Sequence, residues 1–389
     1  MSYHNFETEA IRTQLDKTEF LEHSVPLYLT SGFVFEDAEE MRASFAEEKQ
    51  RNLYSRFSNP NTTEFVEKIC KMEEAEDGYA FSTGMAAIFS TFAALLNSGD
   101  HIVSSRSVFG STHALFTKYF PKWNIDTSYF KVDEVETIEN LIQPNTKILY
   151  AESPTNPAVD VLDLEYLGKI AKKHNLILII DNCFATPYIQ QPVKYGAHIV
   201  VHSATKLIDG QGRVLGGVAV GKKDLIREIY LFSRNTGPAL SPFNAWVLSK
   251  SLETLAVRVE KHCENALKLA EFLEAHSNVN LVKYPFLKSH PQYEVAKKQM
   301  KLGGNIVAFE VKGGIEAGRK FLNNIKMCSL SANLGDTRTI VTHPASTTHS
   351  KLSEEDRLEV GITDGLVRVS VGLESIEDVI NDISQALSS

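Results

Sequence analysis

Between about residues 64 and 240, stretches with helical periodicity alternate with short apolar runs rich in Val and Ile. "FVEKICKMEEAE" reads as a helix, "GYAFS" as a strand and "GMAAIFSTFAALL" as a second helix. "HIVSS", "IDTSYF", "KILYAES", "LILIIDN", "HIVVHS" and "GGVAVG" follow as strands, with the amphipathic helix "LEYLGKIAKKH" between two of them. Parallel strands need crossovers, and helices usually supply them. The alternation therefore predicts an α/β fold with a mostly parallel central sheet covered by helices on both faces.

On either side the pattern changes. Residues 1–50 read as an extended arm with one short helix near 36–49. Beyond about 241, the long helical stretch "SPFNAWVLSKSLETLAVRVEKHCENALKLAEFLEAH" leads into a smaller α/β region, where "NIVAFEV" and "LVRVSVG" are strands and "SIEDVINDISQALS" a closing helix. A chain of 389 residues exceeds one comfortable core. The expected division is an arm over 1–50, a first domain over 51–245 and a second over 246–389.

Composition removes several function classes. A net charge of −9, from 40 basic and 49 acidic side chains, argues against a nucleic-acid surface. No run of about 18 apolar residues is present, so no membrane helix is expected. The polar, acidic start of the chain lacks the apolar core of a signal peptide. Cys70, Cys183, Cys263 and Cys328 form no CxxC pair, which fits a cytoplasmic chain with reduced thiols. Without such a pair or an HExxH pattern, no metal site is expected.

Functional residues of open α/β sheets gather at the carboxyl ends of the strands. Two such ends carry complementary chemistry. "NLILIIDN" runs into Asp181, either a helix cap or a buried charge with a partner. Twenty-five residues later "HIVVHSATK" brings Lys206 to the same edge. Pyridoxal phosphate requires this pair: a lysine for its Schiff base and a carboxylate on its ring nitrogen. "STGMAA" opens a helix, so the amides of Gly84 and Met85 lie at its positive end, suited to a phosphate. Ser203 and Thr205, at −3 and −1 from the lysine, add hydroxyl donors.

With these residues in place, the chain resembles the pyridoxal-phosphate enzymes of cysteine and methionine metabolism, from "VPLYLTSGFVF" to "VRVSVGLE". The motifs "YSRFSNPNT", "ESPTNP", "DNCFATP", "HSATK" and "THPASTTH" carry the likeness. The resemblance implies the fold type I arrangement of these transferases. It implies that Lys206 is the Schiff-base lysine, that Asp181 partners the ring nitrogen, and that Gly84, Met85, Ser203 and Thr205 hold the phosphate. Tyr54 and Arg56 would reach the phosphate of a neighbouring subunit. Asn156 would approach the ring hydroxyl and the substrate carboxylate, Arg368 would clamp that carboxylate, and Thr339 would join the substrate site.

One departure stands out. Where most of the family stacks a tyrosine on the cofactor, this chain reads "SVFGSTHALF", with Phe109. Phenylalanine keeps the stacking but loses the phenol, which puts carbon–sulfur lyase activity in doubt. "VFGST", "DGQGRVLGG" and "GPALSPFNAW" are most similar to the sulfhydrylases that use O-succinylhomoserine. The implied reaction joins an activated homoserine ester to sulfide in methionine biosynthesis, in a homotetramer with shared sites. Arg213 and Arg338 are candidates for reading the succinyl carboxylate. Cystathionine synthesis and the acetyl ester are the rivals within the family. An aminotransferase or an inactive homologue stands outside it.

Overall fold

The computed structural model describes residues 5–348, 350 and 353–388. Seven strands form the larger sheet: β1 (Asp77–Phe81), β2 (His101–Ser105), β3 (Asp126–Phe130), β4 (Thr146–Glu152), β5 (Ile177–Asp181), β6 (Ile199–Ser203) and β7 (Gly217–Gly221). Their order is β1-β7-β6-β5-β4-β2-β3. All neighbours from β6 to β3 are parallel, and β7 lies antiparallel to both β1 and β6. β2 is buried throughout, and β4 and β5 are buried except near their first residues, because helices cover both faces. On one face Leu149, Leu178, Ile180 and Val200 pack with Phe65 and Ile69 of helix Pro60–Glu73. On the other, Ile148, Ile179 and Val201 meet Ile88 and Phe92 of helix Gly84–Leu95. The alternation along each strand thus feeds two cores from one sheet.

A five-stranded sheet follows, from β8 (Val279–Lys283), β9 (Ile306–Val311), β10 (Ser329–Leu330), β11 (Ile340–Thr342) and β12 (Leu366–Ser370), in the order β10-β11-β12-β9-β8. It is antiparallel apart from the β10–β11 pair. Val367, Val369 and Val371 point into its own core. Arg368, between them in sequence, lies on the opposite face, beside Ala308 and Thr342 in register.

The long helical stretch after 241 is two helices, Pro242–Leu252 and Leu255–Glu274. The second serves both cores: Leu255, Val259 and Cys263 pack with the larger sheet, and Ala266, Leu269 and Leu273 with the smaller one. The arm carries helices Phe6–Arg12 and Ala38–Phe45, the latter capped by Asp37, which accepts from Glu40 N at 2.7 Å. Phe20, Leu21, Leu29 and Val34 leave most of their surface exposed there, 88% for Val34. No helix among the described residues is long and apolar enough to cross a membrane.

Candidate active site

A cavity of about 660 Å³ opens at the carboxyl edge of the larger sheet. The ends of β4, β5 and β6 supply Glu152, Asp181 and Ser203, and the following turn supplies Thr205 and Lys206. The start of helix Gly84–Leu95 contributes Thr83, Gly84 and Met85, the loop after β2 brings Phe109, and β12 adds Arg368.

The helix start is built to approach the sheet edge closely. Thr83 caps it, accepting from Ala86 N at 3.0 Å, and its carbonyl takes the amide of Ala87. This leaves the amides of Gly84 and Met85 directed to the cavity as an anion cradle. Only glycines permit the contact. A Cβ on Gly217 would stand 2.1 Å from Thr83 O, and one on Gly84 would stand 2.6 Å from Ser203 Cβ. Thr205 is less free than the sequence reading implies, since its hydroxyl accepts from Gly216 N at 3.1 Å.

Lys206 donates through Nζ to Asn333 Oδ1 at 2.7 Å. Burial, helped by the charge of Arg368, lowers its pKa and favours the neutral amine. Asp181 is 6% exposed and accepts from Cys183 N at 3.0 Å, so it caps a turn as well as carrying a buried charge. Burial pushes its carboxyl up to about 6, against the pull of that amide and of His202. Glu152 is its register neighbour on β4 and is raised well above the carboxylate range by burial and by Asp181's charge. Glu152 also accepts from Phe109 N at 2.8 Å, which ties the Phe109 loop to the sheet edge.

Arg368 is 5% exposed, and burial lowers its pKa to about 10. It bonds Asn156 Oδ1 and Asn333 O at 3.0 Å each and Thr342 Oγ1 at 3.4 Å, all neutral acceptors. Its Nε has no partner among the described residues. A buried guanidinium without a carboxylate partner is an anion site by its chemistry.

Other expected residues lie elsewhere. Thr339 is fully buried and does not line the cavity; its amide and hydroxyl both donate to Glu374, at 2.7 and 2.8 Å. The substrate role expected for Thr339 is therefore withdrawn. Arg213 is held by Asp209 at 3.0 Å and Arg338 by Asp336 at 2.8 Å, and neither borders the cavity. Tyr54 and Arg56 also lie apart from it within one chain. Arg56 bonds Arg234 O and lies over the Phe57 ring at 4.9 Å, while Tyr54 remains 44% exposed. Thr348 of "THPASTTH" reaches the cavity, whereas His349 falls outside the described residues.

Sequence reasoning missed Glu152, His202 and Asn333. Glu152 was within reach, because it ends a strand as Asp181 does. Asn333 carried no local signal; it meets Lys206 only through the packing of the two sheets.

An anion cradle, a buried carboxylate and a lysine with a lowered pKa, converging on one sheet edge, define a pyridoxal-phosphate site. The residues present suit that group: amide donors for a phosphate, a buried carboxylate for a protonated ring nitrogen and an aromatic side chain for a ring face. The chain belongs to the Cys/Met metabolism PLP-dependent enzyme family, whose model matches residues 7–388. It is 45% identical to an O-succinylhomoserine sulfhydrylase of Pseudomonas aeruginosa over 383 residues, covering 98% of this chain and 95% of that one. It is 44% identical to an L-methionine gamma-lyase of Fusobacterium nucleatum, with 98% and 97% covered. A crystal structure from Campylobacter jejuni, described as an O-acetylhomoserine (thiol)-lyase carrying a pyridoxyl-lysine phosphate, superposes with a TM-score of 0.96 at 35% identity, covering 99% of this chain and 100% of that one.

Proposed function

We propose that the chain catalyses γ-replacement, converting O-succinyl-L-homoserine and sulfide into L-homocysteine and succinate. The observation that carries this reading is Arg368, a buried guanidinium with no carboxylate partner among the described residues, in the cavity that holds Lys206. An α-amino acid brings both complements, a carboxylate for Arg368 and an amine for the lysine's place.

When bound, pyridoxal phosphate supplies an electron sink that stabilises negative charge at the substrate Cα. Gly84, Met85 and Ser203 hold its phosphate, Asp181 its ring nitrogen and Phe109 its face, with Asn156 beside the ring hydroxyl and the substrate carboxylate. Lys206, the covalent anchor before substrate arrives, then acts as the base at Cα, a role that its lowered pKa supports. A further proton would leave Cβ to solvent, succinate would depart from Cγ with the electrons of the broken C–O bond, and hydrosulfide would take its place there. Lys206 would return the proton it took from Cα, and solvent the one from Cβ. Sulfur enters and a carboxylate leaves, so no redox partner is needed.

Phe109 supports replacement over elimination, because this side chain offers no phenol to serve a departing sulfur. Elimination from methionine is the second reading, favoured by the gamma-lyase relative. The exposed apolar side chains of the arm support assembly through it, in a homotetramer that brings Tyr54 and Arg56 to a neighbour's phosphate.

Product analysis on purified holoenzyme tests the reading. The succinyl and acetyl esters are each offered with sulfide, with cysteine and alone, beside methionine. Homocysteine as the preferred product from the succinyl ester supports it. Cystathionine, preference for the acetyl ester, or methanethiol from methionine as the main product would each overturn it in favour of the corresponding relative. Lys206→Ala should abolish replacement.

A further inference from the structure

The proposed substrate carries a second carboxylate, at the far end of its succinyl chain, and neither Arg213 nor Arg338 borders the cavity to receive it. Among the described residues lining the cavity, the side chains able to carry a positive charge are His113, His202, Lys206 and Arg368. Three have other commitments. Lys206 serves the cofactor and Cα, and Arg368 the α-carboxylate, on the reading above. His202 has no exposed side-chain surface, and its Nε2 lies 2.6 Å from Glu73 Oε1. His113, which the mechanism does not use, is the fourth.

His113 lies one turn past Phe109 on the short helix Gly110–Ala114, its amide donating to Phe109 O at 3.0 Å. Residues four apart share a helix face, so the imidazole and the Phe109 ring stand on one side of the cavity. Ser111, between them in sequence, borders the cavity as well and adds a hydroxyl.

The imidazole is held at its Nδ1, which lies 3.1 Å from the Tyr129 hydroxyl, with the two rings 5.4 Å apart. Tyr129 stands on β3, and Arg106 lies over its ring at 5.6 Å while pairing with Glu359 at 3.1 Å. Burial pushes the Tyr129 phenol up to about 12, so it keeps its proton and donates to Nδ1. The imidazole's own proton then stands on Nε2. His113 is therefore a hydrogen-bond donor when neutral and a charged donor when protonated, the chemistry a carboxylate needs. An acetyl ester ends in a methyl group and has no use for it.

We propose that His113 is a specificity-determining residue: its imidazole, oriented by Tyr129, receives the terminal carboxylate of the succinyl ester. This rests on the γ-replacement reading and names the part of the site that tells one acyl ester from another.

The test compares cofactor-loaded parent and His113→Phe, each with O-succinyl-L-homoserine and with the same ester methylated on its terminal carboxylate, sulfide being the nucleophile. Phenylalanine keeps a ring and removes both nitrogens. In the parent, methylation should raise KM about tenfold or more. In His113→Phe, KM for the succinyl ester should rise by a similar factor, and methylation should add little further. The value for the acetyl ester should change much less. An equal methylation penalty in parent and variant would overturn the proposal, as would parallel changes for the succinyl and acetyl esters. Should His113→Phe fail to fold or to load cofactor, Tyr129→Phe decides by the same comparison. A rise in KM confined to the succinyl ester supports the assignment, and none overturns it. A parent that prefers the acetyl ester or makes cystathionine would overturn the functional reading, while the comparison of charged and methylated carboxylate still decides the role of His113.

Discussion

Asn333 touches both ends of the site: its side-chain Oδ1 accepts from Lys206 Nζ at 2.7 Å, and its main-chain oxygen accepts from Arg368 Nη2 at 3.0 Å. The side-chain bond aims the lysine, and the main-chain bond aims the guanidinium. Asn333→Ala removes only the first. We expect kcat to fall about tenfold, a cost of about 1.4 kcal/mol, with KM for the amino acid changed much less. Steady-state kinetics on both parameters checks it; a selective rise in KM would contradict the separation.

Arg368 separates stability from binding. Among the described residues it holds a buried charge against neutral acceptors, so an apolar replacement of similar length relieves desolvation. Arg368→Met should raise the melting temperature of the cofactor-free protein while raising KM at least a hundredfold, the loss of about 3 kcal/mol of carboxylate binding. Arg368→Lys should not restore KM, because a lysine cannot form the planar fork. Calorimetry beside kinetics reads both effects.

Gly217 tests the cradle. A methyl there would meet backbone on the helix side, Thr83 O at 2.1 Å and Gly84 N at 2.8 Å. Neither atom can swing away as a side-chain tip could. Gly217→Ala should cost about 1–3 kcal/mol of stability and weaken cofactor retention, measured by dialysis and absorbance, even at temperatures where the protein stays folded.

Asp181 sets a pH dependence. Its folded pKa, about 6, lies above the unfolded carboxylate value of 3.8. A raised acid destabilises the fold when ionised, so its contribution to the cofactor-free protein is most favourable below the unfolded value and is lost as pH rises toward 6. With Asp181 in its proposed place opposite the ring nitrogen, cofactor binding has the opposite sense, because only the carboxylate would pair with a protonated ring nitrogen. Affinity for pyridoxal phosphate should therefore weaken as pH falls through about 6. Titrations at several pH values would show this inflection in the parent and lose it in Asp181→Asn.

Local pattern revealed the larger sheet almost strand by strand: "HIVSS" is β2 in full, and "LEYLGKIAKKH" is helix Leu164–His174 to the residue. Those segments have one periodicity and clear capping, as where Asp163 accepts from Tyr166 N at 3.0 Å. The direction of β7 was not legible, because a buried strand reads the same whichever way it runs. Nor were β10 and β11, of two and three residues, too short to show a period. For the site, Lys206 and Asp181 were legible since strand-end position is a sequence property. Arg368 and Asn156, bonded to each other across 212 residues, were brought toward one substrate carboxylate only by resemblance, and their own bond was not foreseen. The commitments of Thr339 to Glu374 and Arg213 to Asp209 are facts of packing that no spacing encodes.

The helix Leu255–Glu274, driven through both cores, makes the site a gauge with fixed jaws. The lysine's sheet and the arginine's sheet are clamped to the same rod, so the gap between Lys206 and Arg368 is set by a rigid span. An α-amino acid, the proposed class of substrate, has one carbon between amine and carboxylate. Inserting a methylene, as in a β-amino acid, lengthens the molecule by roughly 1.3–1.5 Å. Widening the jaws to take it would mean shifting the rod against one core or the other. Discrimination between chain lengths would then come from the body of the protein, at a distance from every atom that the substrate touches.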